Sequence, residues 1–156
     1  MKPPSESDAS PAHAHFSASC FNEAWKLIDM DERSEEQNLS MIDLVHASIW
    51  HWRQRKDCTS ANLSIGYWQA SRAYALIGEA KLARYYGEKS LELTGEGDLI
   101  NRAFAHEAIA RAEMVAGNKE AMGRHLDQAK QLAGTITDAE DRAWVVQNLE
   151  TVTLDK

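Results

Sequence analysis

Tyr74-Ala75-Leu76-Ile77-Gly78-Glu79-Ala80-Lys81-Leu82-Ala83-Arg84-Tyr85-Tyr86-Gly87 is the stretch that decides how this chain folds. Upstream of it, Leu63, Tyr67, Ala70, Tyr74 and Ile77 recur at three- and four-residue intervals, the spacing of one face of an α-helix. Gly78 supplies the left-handed conformation common just past a helix end, and a second helical pattern starts at once. The two helices are therefore joined by a very short turn. On the second, Ala80, Ala83, Gly87 and Ser90 make a stripe of small residues that lets a neighbouring helix approach closely. Gly117-Asn118 repeats the turn 39 residues after Gly78-Glu79. Sliding the chain by that interval sets Arg72 on Arg111, Ala70 on Ile109, Ala83 on Met122 and Ser90 on Ala129. A period of this size, with one helical hairpin per unit, marks a stacked-hairpin repeat.

Working outward, the same punctuation divides the rest of the chain. A first helix is expected over about 17–30, with Phe21, Ala24, Trp25 and Ile28 on one face. A second follows Ser34, whose hydroxyl and Gln37 form a capping box, and it carries Ile42, Val45, Ile49 and Trp52 to about Arg55. The third covers about 60–77 and the fourth 79–93. Asp98 caps the fifth, 99–116, which is crowded with alanines at 103, 105, 108, 110, 112 and 116. Asn118 caps the sixth, which runs to Gly134. Thr137-Asp138-Ala139-Glu140 reads as another capping box before a last helix with Trp144, Val145, Leu149 and Val152. All three prolines lie at or before Pro11, as a chain of consecutive helices requires, since proline inside a helix costs about 3 kcal/mol. Residues 1–15, rich in Ser, Pro, Ala and His, read as a flexible tail, and 16–156 as a single all-α domain of about seven helices stacked as antiparallel hairpins, the last a cap.

Tyr74 to Gly78, followed by Ala83, Tyr86 and Ser90-Leu91, resembles the tetratricopeptide repeat (TPR) family's run of Tyr, Gly, Ala, aromatic, and a small residue before Leu. Ala110 to Gly117, followed by Asn118, Leu126 and Ala129, is similar. Glu113 stands where that family has tyrosine, Gly87 where it has a bulky residue, and no closing proline follows either unit. The resemblance implies a right-handed superhelix of hairpins with a concave groove lined by the first helix of each pair. It implies no particular activity, because that architecture serves many partners.

By that resemblance Trp68, Gln69, Arg72, Glu107 and Arg111 face the groove. Two arginines at matching repeat positions suit a carboxylate, which a guanidinium fork grips with paired donors; Trp68 beside them suits an apolar anchor. The competing reading is that Glu107 and Arg111, four apart, merely pair on a helix surface. A second group is Asp43, His46 and Trp50, with His106. Asp43 and His46 share a helix face, a spacing open to metal or proton-transfer chemistry. His46 and His51 are five apart and diverge, and no second acid-x-x-His element exists to build a dimetal bundle. His13-Ala14-His15 falls in the expected tail. Cys20 and Cys58 form neither a metal-ligand spacing nor a disulfide framework.

Composition narrows the partners. A net charge of −7 argues against general nucleic-acid affinity, which needs clustered cations. No apolar run approaches the ~20 residues of a membrane span, and the polar start of the chain lacks the apolar core of a secretory signal, so a cytoplasmic location is expected. There is no G-x-S-x-G, phosphate-cradling glycine loop or catalytic Cys-His context. The leading expectation is a non-enzymatic module, without cofactor or metal, binding a protein or peptide that exposes carboxylates. The alternative is a small-molecule-binding protein or enzyme with the Asp43, His46, Trp50 and His106 pocket. A third is a homo-oligomer that buries exposed aromatic residues between copies.

Overall fold

A computed structural model describes residues 9–153, and within them the chain forms seven α-helices and no strand. They are α1 Ser10–Ile28, α2 Glu35–Gln54, α3 Ser60–Leu76, α4 Ala80–Glu92, α5 Leu99–Ala116, α6 Lys119–Thr135 and α7 Ala139–Glu150. No helix among these residues is long and apolar enough to cross a membrane. The expected boundaries hold within a few residues except at the N-terminus, where α1 starts at Ser10. Residues 10–15 are thus helical and not a tail; 1–8 lie outside the described residues. The physical reason is that Pro11 falls in the first turn, where the missing N–H would have had no helical acceptor.

Side-chain caps explain where four of the other helices begin. Ser34 and Gln37 complete the capping box of α2 in both directions. Asp98 and Asn118 accept from Asn101 and Ala121 backbone N–H groups at the starts of α5 and α6. At α7 the cap is Asp138, whose carboxylate accepts from the amides of Glu140 and Asp141. The expected Thr137 box is replaced by this shorter reach. Gly78 and Gly117 take φ of +82° and +74°, so each ends its helix in the left-handed conformation that other residues resist.

The chain divides into two compact units, Met1–Thr59 and Ser60–Lys156. In the first, α1 packs on α2, burying Ala24, Ile28, Met41, Val45 and Ile49. The buried Ser17 is its polar tie: its carbonyl accepts from the Ser48 hydroxyl at 2.7 Å and its Oγ from Arg55 at 2.9 Å.

In the second unit α5 is central, packing on α3, α4, α6 and α7. Every residue from Ala103 to Glu113 is buried, which a helix achieves only when neighbours cover it all round; the alanine-rich composition leaves room for them. Serines draw α3 against α4. Ser64 and Ser90 each donate a hydroxyl to the other's carbonyl at 2.9 Å, and Ser71 donates to the Ala83 carbonyl at 2.7 Å. Gly87 is where α4 meets α5. A Cβ there would lie 2.9 Å from Ile109 Cγ1, 3.2 Å from the Ile109 backbone nitrogen and 3.3 Å from Ser71 Oγ.

Gly87→Ala sets a helix-propensity gain of up to about 1 kcal/mol against an overpacking cost of about 1–3 kcal/mol. Because backbone and a branched side chain block the methyl, we expect a net loss of about 1 kcal/mol in urea denaturation, and a larger one for Gly87→Val. An unchanged midpoint for the alanine variant would show that Ile109 yields and that close approach is not required.

Candidate functional site

Four of the five groove candidates meet around one carboxylate. Glu107, on the central helix α5 and 1% exposed, accepts from the Trp68 indole N–H at 3.0 Å through Oε2. Its Oε1 accepts from Arg72 at 3.0 Å and from Arg111 Nε at 2.8 Å, with a second Arg111 bond through Nη2. Arg111 Nη2 also donates to the Thr151 hydroxyl beyond the end of α7. Gln69, the fifth candidate, is completely buried. The two arginines do converge on a carboxylate, as their types and spacing suggested, but the carboxylate is the protein's own. Glu107 and Arg111 do pair four residues apart, yet inside the unit and not on a helix surface. Burial removes Trp68 and Gln69 on α3 and Glu107 and Arg111 on α5 from any partner's direct reach; Arg72 alone of the five is partly exposed.

An aromatic row runs beside this network. The Trp68 ring packs against Phe104 at 4.9 Å between centroids, and Phe104 meets Trp144 edge-on at 4.6 Å. The row thus crosses α3, α5 and α7 and ends on Trp144, which is 50% exposed. Edge-to-face contact fixes the ring's orientation while leaving its outer side in water. Sequence reading missed this row, placing Trp144 only on the last helix. The clue was available: 68, 104 and 144 are separated by intervals close to the 39-residue period.

Of the second group, Asp43, His46 and Trp50 lie on α2 and His106 on α5. Asp43 is exposed, and Trp50 is 55% exposed on α2. Burial lowers the His46 pKa below the ordinary imidazole value, while Asp43 draws it upward. Asp43 lines a shallow hollow with Ser40, Leu44 and Ala47. His106 belongs to the other unit, where its ring nitrogen Nδ1 lies 3.0 Å from Nδ1 of His125 on α6. Desolvation, then His125 and Arg102, push the His106 pKa down to about 4. Desolvation also lowers His125, aided by Arg124 and opposed by Glu113 and Glu88. His106 borders an open hollow of about 340 Å³ with Arg102, Gln128, Gln131, Leu132 and Thr135.

Two further pairings escaped sequence reading. Glu113, occupying the position at which the TPR pattern has tyrosine, is buried and forms a two-bond ion pair with Arg84 of α4; that bond holds its carboxyl below the usual range. In the first unit, His13 Nδ1 lies 2.8 Å from His51 Nδ1. No group of three or more His, Cys, Asp or Glu side chains suited to a metal ion occurs among the described residues. No family model, curated protein or solved structure matches this chain.

Proposed function

We propose that the second unit is a non-enzymatic binding module in which α3 and α7, packed on the buried α5, present Arg72 and Trp144 to a segment of a partner protein, with tetratricopeptide-type antiparallel hairpins behind them. Several observations support the arrangement. The Ser64–Ser90 and Ser71–Ala83 bonds pair rising numbers on α3 with falling numbers on α4, as in helices running in opposite directions. Residues one period apart touch: Trp68 reaches Glu107 across 39 positions. α5 packs on both α3 and α7, its counterparts one unit before and after.

The observation that carries the functional reading is Trp144, a half-exposed indole held in a set orientation at the end of an otherwise buried aromatic row. A rigid, partly desolvated tryptophan is the side chain that most often dominates a protein interface. Pre-organisation by Phe104 lowers the entropy that binding would otherwise cost. Arg72, at the partly exposed edge of the Glu107 network, favours a segment that carries a carboxylate near its apolar anchor. Recognition then depends on Trp144 and the Arg72 edge, with Trp68, Glu107 and Arg111 serving as the buried frame.

The test is native capture from the host lysate with wild type, Trp144→Ala, and Trp50→Ala as a control on an equally exposed tryptophan of α2. The reading requires bound proteins that are retained by the control and depleted at least tenfold, about 1.4 kcal/mol, by Trp144→Ala. Equal retention by Trp144→Ala, or no specific partner for wild type, refutes it. Thermal melts of each variant separate lost binding from lost folding.

A further inference from the structure

We propose that His13 and His51 form a binding site for a divalent late first-row transition metal of tetragonal preference, cupric or nickelous ion, that clamps α1 to α2. The two imidazoles come from different helices, 38 residues apart, and turn the same nitrogen, Nδ1, toward each other at 2.8 Å. Metal–imidazole bonds of about 2.0–2.1 Å place cis nitrogens of a square-planar or octahedral ion about 2.9 Å apart, and those of a tetrahedral ion about 3.3 Å. The observed 2.8 Å is the length of the hydrogen bond that joins the rings without metal. It lies within a few tenths of an ångström of what two cis ligands need, and imidazole sites bind Cu(II) more tightly than Zn(II).

The surroundings suit a ligand pair open to solvent. Both histidines are half-buried, so water can fill the remaining coordination positions. Phe16 packs on His51 at 5.4 Å and Trp50 on His13 at 5.3 Å, which holds the rings in place without supplying a competing charge. Without metal, one Nδ1–H donates to the other Nδ1. On binding, that ring's proton moves to Nε2, both Nδ1 lone pairs face the ion, and no net proton is released. The His106–His125 pair is a natural comparison. Its Nδ1 atoms are 3.0 Å apart, but His106 is buried, so water has less access to complete a coordination shell there.

The experiment uses untagged full-length protein titrated with Cu(II) and, separately, Zn(II). Electron paramagnetic resonance is to be read together with thermal melts. One Cu(II) per chain is expected, with two nitrogen ligands in the spectrum and a melting temperature that rises until one equivalent is added. Zn(II) should bind at least tenfold more weakly. His13→Ala and His51→Ala should each weaken Cu(II) binding at least tenfold, while His15→Ala and His106→Ala change it less than twofold. A wild-type spectrum with fewer than two nitrogen ligands overturns the proposal without recourse to any variant. So does undiminished binding in His13→Ala, or an equal loss in His15→Ala, which marks adventitious surface binding only.

Discussion

Glu107→Ala should destabilise the second unit by about 3–5 kcal/mol, the usual consequence of removing one partner from a buried ion pair. The substitution strips the acceptor from Trp68, Arg72 and Arg111 together, leaving guanidinium groups desolvated without their counter-charge. For a unit of this size each kcal/mol corresponds to about 4–8 °C in melting temperature, so the loss should be plain in a thermal scan. Glu107→Gln keeps the shape and one acceptor oxygen but not the charge, and should fall between wild type and alanine. A more informative variant is Glu107→Leu with Arg111→Met, which removes the charge and one of its partners together. If the cost comes from uncompensated buried charge, this double change should recover part of the loss. Should Glu107→Ala cost less than about 1 kcal/mol, the network is not a structural tie and its residues must be reconsidered as a solvent-accessible surface.

Acid should weaken the same unit well above the range in which exposed carboxylates titrate. His106 has a folded pKa of about 4 against 6.5 for the unperturbed side chain. Between those values the unfolded chain binds a proton that the folded chain refuses. The depressed folded value therefore contributes stability that is whole above pH 6.5 and is lost as pH falls toward 4. The full contribution is about 3 kcal/mol, of which about 2 kcal/mol should be gone by pH 5. His125, also lowered, adds in the same direction. Arg102 sharpens the effect at His106 and Arg124 at His125, while Glu113 and Glu88 oppose it at His125. Urea midpoints at pH 7 and pH 5 measure it. His106→Gln should flatten the profile across that interval whatever it does to stability at neutral pH. A wild-type midpoint that does not move from pH 7 to pH 5 would contradict a neutral, desolvated histidine pair.

Both effects arise from residues whose identity was plain in the sequence but whose partners were not. Arg72, Glu107 and Arg111 stood out because the 39-residue period aligned them, and the period did bring them together. Their direction was misread because sequence spacing places a residue on a helix face without saying what covers that face. α5 is packed by four other helices, so the surface assigned to a partner is occupied by the protein's own carboxylate. His106 and His125 lie at comparable distances either side of Gly117, which permits a meeting across the α5–α6 turn, yet nothing local distinguishes that meeting from a miss by one turn.

The sequence by itself determined the helices: their number, their connections and their ends apart from the start of α1. Those features depend on interactions within a few residues, namely apolar spacing, side-chain caps such as Ser34, Asp98 and Asn118, and glycines at positive φ. Only the tertiary structure decided that the chain divides after Thr59, that Trp144 completes an aromatic row and that His13 meets His51. Each of these depends on contacts between residues far apart in the chain. Such contacts are set by which faces bury the most apolar surface while still satisfying every polar group, a condition that local pattern does not encode.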